Sequence, residues 1–136
     1  MYLNVQKKEV EGLKYIGRLD KNKLGKYKDI ISTDKVVLTP ERKHHIYTNH
    51  LKDFNEIMEN IERIILEPNE ILEDCKNKST ILVIGKLINN HLNIIIKLNT
   101  TNDNKHPENS IMTAWIIREK NLIRLREKNI TIYRSE

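Results

Sequence analysis

The stretch "DFNEIMENIERIILEP", residues 53–68, leaves the chain the least freedom. Phe54, Ile57, Met58, Ile61, Ile64 and Ile65 follow one another at intervals of three, one, three, three and one. On a helix of 3.6 residues per turn that spacing makes a single apolar stripe. Asp53 and Glu56 have the spacing of a capping box, and Pro68 closes the segment. Such a stripe has to be buried against another element, and the residues that follow provide one. "STILVIGKLI" and "HLNIIIKLN" are dense in β-branched residues, with Asn89-Asn90 between them as a hairpin turn. "SIMTAWIIR" and "ITIYR" read as two more strands, and "EKNLIRLREK" as either a short helix or a loop. Trp115, the sole tryptophan, is expected in the core.

Upstream, Val36 to Leu38 read as a short strand, Thr39 as an N-cap and Pro40 as the first residue of a helix that runs to about His50. The expected fold over residues 34–136 is therefore α+β, with N-terminal helices followed by a four-stranded antiparallel sheet and the second helix packed on one sheet face. Residues 1–33 are polar, with β-like pieces at "LKYIGRL" and "YKDIIS", and are expected to form a basic N-terminal arm or a peripheral hairpin.

Charge is placed unevenly. Residues 1–28 hold eight basic side chains against three acidic ones, which accounts for the whole net charge of +5. A basic arm on a neutral body suits a polyanion-binding protein. A chain rich in Lys, Asn and Ile also follows from A/T-rich coding, and composition does not choose between the two. A length of 136 residues suffices for one domain with its own core. Cys75 is the only cysteine, so no internal disulfide can form. The first residues contain no apolar run of signal-peptide type, and the longest apolar runs are too short to span a bilayer. The expectation is a soluble cytoplasmic protein without membrane contact.

Chemistry concentrates in "ERKHHIYTNH", residues 41–50. On a helix, Arg42, His45, Asn49 and Lys52 share one face, His50 shares the side of Ile46, and His44 points elsewhere. Zinc requires converging ligands, commonly histidines at i and i+4, whereas these histidines are one, five and six apart, so no metal is expected. Cys75 lies among acidic neighbours in "LEDCKNK", a poor setting for a thiolate nucleophile, and no G-x-S-x-G is present. Metal-free RNA cleavage fits the residue types better. It needs proton-transfer groups near neutrality and cations on the phosphate, which His and Arg/Lys provide. The same ten residues are also the pattern of a capped, solvated helix face.

Taken in order, "VVLTPERKHHIYTNH", "IILEPNEIL" and "NSIMTAW" resemble the phage-associated branch of the barnase–EndoU–colicin–RelE (BECR) nuclease superfamily, over roughly residues 34–134. The resemblance implies an RNase-like fold and a metal-independent endoribonuclease, phage- or toxin-associated, that cleaves RNA by 2′-hydroxyl attack without a cofactor. It implies tRNA or mRNA as partner, and a neutralising antitoxin or immunity protein. It assigns His45, Lys97, Thr113 and Tyr133 to catalysis, and His50, Asn109 and Ser110 to substrate binding; Arg42 joins the substrate-binding set from its place on the face of His45. One position departs from it: Asn49 stands where the family often has Arg, and Arg42, one turn before His45, offers a replacement charge. That departure keeps a second reading open, a non-catalytic RNA-binding or phage accessory module of the same fold. A domain that mainly binds protein is a third.

Overall fold

The isoleucine stripe seats a helix on a much larger sheet than its neighbours in sequence suggest. The computed structural model describes residues 14–101 and 108–135. Its strands are β1 (Lys14–Arg18), β2 (Lys35–Leu38), β3 (Glu70–Glu73), β4 (Thr80–Lys86), β5 (His91–Lys97), β6 (Asn109–Ile117) and β7 (Ile130–Arg134). Its α-helices are α1 (Pro40–Asn49), α2 (Phe54–Leu66) and α3 (Glu119–Lys128). Short 3-10 turns at Lys21–Lys23, Gly25–Asp29 and Leu51–Asp53 link them. One sheet of seven strands runs in the order β1-β2-β6-β5-β4-β3-β7. The β2–β6 pair is parallel and the other neighbours are antiparallel.

This corrects the expected N-terminal helices followed by a four-stranded antiparallel sheet. Strands come first, the sheet has seven of them, and it is mixed. Two elements account for most of the difference. β1 pairs with β2 and contributes Ile16 to the core, and Leu19, Leu24, Tyr27 and Ile31 are buried with it. β3 was hidden by its flanking glutamates. Glu70 is only 4% exposed because Arg126 meets it with two hydrogen bonds of 2.9 and 2.7 Å. Glu73, at the other end, takes Lys26 Nζ at 2.6 Å and the Tyr27 hydroxyl at 2.9 Å. Buried carboxylates are tolerable when paired this way. Residues 1–13 of the expected arm or hairpin lie outside the described residues.

Local expectations divide at the helix ends. Thr39 caps α1 as expected, its Oγ1 accepting from the Arg42 N–H at 3.1 Å, with Pro40 in the first turn. Asp53 makes no capping bond to α2, because the 3-10 turn Leu51–Asp53 runs directly into it. α2 buries Ile57, Ile61, Ile64 and Ile65 on the face formed by Ile71, Ile81, Val83, Leu92, Ile94 and Ile111. Each such side chain contributes about 1.5–3 kcal/mol of burial. α3, left open in sequence between helix and loop, covers part of the opposite face through Leu122 and Leu125, against Leu72, Leu82, Ile84 and Ile117.

The Tyr27–Glu73–Lys26 contact makes a pH-dependent contribution. Burial, followed by the hydrogen bond to Glu73, pushes the Tyr27 phenol from 10.0 up to about 12. The Lys26 ammonium holds the Glu73 carboxyl below the usual carboxylate range. Since the folded value of Tyr27 lies above the unfolded one, its contribution is complete below about pH 10 and is lost as pH rises towards 12. Denaturant melts between about pH 9 and pH 12 are expected to show a steeper loss for the native chain than for Tyr27→Phe. Parallel losses would contradict the assignment.

Candidate functional site

The face of the sheet opposite α2 is where most of the sequence-predicted residues meet. Strand register sets three rows across β4, β5 and β6: Thr80·Lys97·Ser110, then Leu82·Ile95·Thr113, then Ile84·Asn93·Trp115. Directly opposed side chains stand about 5 Å apart, and successive rows are roughly 7 Å apart. A bulge makes this arrangement. Ile95 pairs with Thr113 and Ile96 with Ile111, so Met112 is the extra residue. Simple alternation would put Thr113 in phase with Ile111. The bulge instead keeps Ile111 in the α2 core and turns Thr113 to the open face beside Trp115.

α1 borders this face along β6. Its first turn and the Lys97·Ser110 row line one cavity of about 330 Å³, shared by Arg42, Glu41, Lys97 and Ser110. At the other end of α1, the His50 ring stacks on Trp115 with centroids 6.3 Å apart and planes 24° apart. Trp115 is therefore a partly exposed platform rather than the enclosed core residue expected of it. Between the two ends lies Thr113, whose Oγ1 is buried without a hydrogen-bond partner in the protein. Asn93, opposite Trp115, is 0% exposed, and both of its amide atoms are likewise unpartnered. Lys97 donates one hydrogen bond to the Lys78 carbonyl at 2.7 Å, and an ammonium has three donors.

The remaining predicted residues lie elsewhere. His45 is exposed on the outer side of α1, where its ring meets the Asn49 amide at 3.1 Å. It lines a shallow concavity with Arg42, His44 and Asn49, separate from the cavity of Lys97 and Ser110. Arg42 is the only predicted residue common to both. Asn109 is fully buried, donates to the Thr33 and Lys35 carbonyls at 2.8 Å each and accepts from the Asn99 N–H at 2.8 Å. Its amide is spent joining β6 to the segments beside it. Tyr133 pairs with Ile71, packs against the α2-side core and carries Lys23 Nζ 5.2 Å from its ring centroid. It is on the other face, four strands from β6.

Some residues of this face were not singled out in sequence. Asn93, Glu41 and Glu108 carry no motif, although Asn93 alternates in phase with Lys97 along β5 and so shares its side. Glu41 and Glu108 line the same cavity as Arg42 and Lys97, which leaves it close to neutral. His91, one row beyond Asn93, is engaged by Glu119 at 2.5 Å. Part of the N-terminal basic excess is also engaged, Lys26 by Glu73 and Arg18 by Asp34 at 3.6 Å. Among the described residues no group of three or more His, Cys, Asp or Glu side chains could hold a metal ion, and no helix is long and apolar enough to cross a membrane. Compared with models of known families, with curated proteins and with solved structures, the chain matches none.

Proposed function

We propose that this chain is a metal-independent endoribonuclease that works on the open face of the sheet. The observation that carries the reading is the stack of His50 on Trp115 beside the unpartnered Thr113 hydroxyl, with Lys97, Ser110 and Arg42 beyond it. An aromatic platform takes a base, hydroxyls and cations take phosphates, and a histidine moves protons near neutrality. In the step itself, neutral His50 accepts the proton of the ribose 2′-hydroxyl as the 2′-oxygen attacks phosphorus. The bond from phosphorus to the 5′-oxygen breaks, and the imidazolium returns the proton to that oxygen. Lys97 lies four residues along β5 from Asn93, roughly 13 Å from the His50 end. It therefore serves, with Arg42 and Ser110, the phosphate next to the scissile one, and Thr113 orients the scissile one.

Purified protein incubated with mixed tRNA and mRNA in EDTA is expected to leave 2′,3′-cyclic phosphate and 5′-hydroxyl ends. Folded protein that binds these RNAs without cutting them would sink the catalytic reading and leave an RNA-binding module. That second reading is favoured by one observation: among the described residues, His50 is the only histidine on this face not already engaged by a carboxylate.

A further inference from the structure

A second cavity of about 260 Å³ opens on the same face, between the sheet and the C-terminal end of α3. Its walls are mainly apolar, from Leu82, Ile95, Leu125 and the Trp115 indole, and Asn93 lies among them. Asn129, also at its edge, is not available to a ligand. Its Oδ1 accepts from the Cys75 N–H at 3.1 Å and its Nδ2 donates to the Leu125 carbonyl at 3.0 Å. The Asp74 carboxylate is likewise turned into its own loop, accepting from the N–H groups of Lys76 and Asn77 and from the Asn77 amide. Asn93 is different: it is wholly buried and neither its donor nor its acceptor is used within the protein. Buried polar groups are nearly always satisfied, so an orphaned carboxamide lining a cavity calls for an external partner.

We propose that this cavity is a nucleobase subsite and that Asn93 reads an adenine edge in it. This deepens the reading of the face as an RNA track and rests on it. A carboxamide presents one donor beside one acceptor, the complement of the adenine N6 amine and N7. A slot below the 300 Å³ at which drug-sized pockets begin suits a single heterocycle, and an indole wall suits its flat apolar surface. Lys76 and Lys128 at the rim can meet the phosphate that follows.

Trp115 is the chain's only tryptophan and lines this cavity, so its fluorescence responds to occupation of this part of the face, and the Asn93 variants tie the response to the cavity. The test titrates the full chain with AMP, GMP and ribose 5-phosphate. AMP is expected to give a saturable change, GMP a weaker one and ribose 5-phosphate none. Asn93→Leu is expected to weaken AMP binding by about tenfold or more, as two hydrogen bonds are lost, without lowering the melting temperature. Asn93→Ser provides the same test should the leucine disturb the strand. Absence of a saturable response to AMP, an equal response to ribose 5-phosphate, or unweakened binding in both Asn93 variants would each overturn the proposal. Tighter GMP binding would overturn the adenine assignment. AMP binding without RNA cleavage would remove only the catalytic reading, and cleavage without AMP binding would remove only this one.

Discussion

Gly85→Val is expected to lower the melting temperature by more than about 10 °C, because it forces side-chain volume into the sheet–helix contact. Gly85 lies in β4 directly beneath α2. A Cβ there would stand 2.7 Å from Ile64 Cγ2 and 2.8 Å from Cδ1, with Cγ1 nearer still. The reason for glycine here is space and not backbone conformation, since its φ is not positive. Ile64 is 0% exposed and β-branched, so on a helix it has one strongly preferred χ1 and no room to turn away. The helix must then lift, at about 3 kcal/mol or more for valine, and a chain of this size loses about 4 °C per kcal/mol. Ile64→Ala in the same chain should return part of the loss, a coupling that distant residues would not show. A melting temperature within a few degrees of the native chain would mean that α2 does not seat on β4 at Gly85.

That contact illustrates which parts of the fold are legible in sequence. The α2 stripe, the β4–β5 hairpin and the Thr39-Pro40 start of α1 are local patterns, with period and cap written in consecutive residues. β3 is not. "EILE" carries charge at both ends, and it takes the distant Arg126, Arg134, Lys26 and Tyr27 to make those charges compatible with burial. The parallel pairing of β2 with β6 joins residues 36 and 37 to 109 and 110, a connection that no period encodes. The segment before residue 34 reads as polar because its core residues, Ile16, Leu19, Leu24, Tyr27 and Ile31, are dispersed singly among lysines and other polar residues.

The candidate site was legible by half. Lys97, Ser110, Thr113 and His50 reach one face, and the resemblance on which they were chosen named their motifs. Thr113 reaches it through a backbone bulge, which alternation cannot foresee. Asn109 and Tyr133 come from the same motif and the last strand, yet one is used up in backbone hydrogen bonds and the other faces the α2 side. For the histidines a usable signal was present. His50 shares the side of Ile46, the only buried residue of α1, so a helix with Ile46 inward must turn His50 towards the sheet and His45 away from it.

His50 and His45 therefore make opposite predictions. His50→Ala is expected to reduce RNA cleavage in EDTA by roughly 10²–10⁴-fold, the range for removal of a proton-transfer group. His45→Ala is expected to change it by no more than about a factor of three, as for an exposed side chain outside the site. Both variants should fold, because His45 is exposed and the backbone N–H of His50, not its ring, closes α1 by donating to the Ile46 carbonyl at 2.9 Å. Loss of the His50 ring also uncovers one side of Trp115, so its fluorescence should shift in that variant and not in His45→Ala. The spectral change tests the stack independently of turnover. If His45→Ala abolished cleavage and His50→Ala retained it, the reaction would belong to the outer concavity of α1, where Arg42 and Asn49 flank His45. The open sheet face would then be left with binding alone.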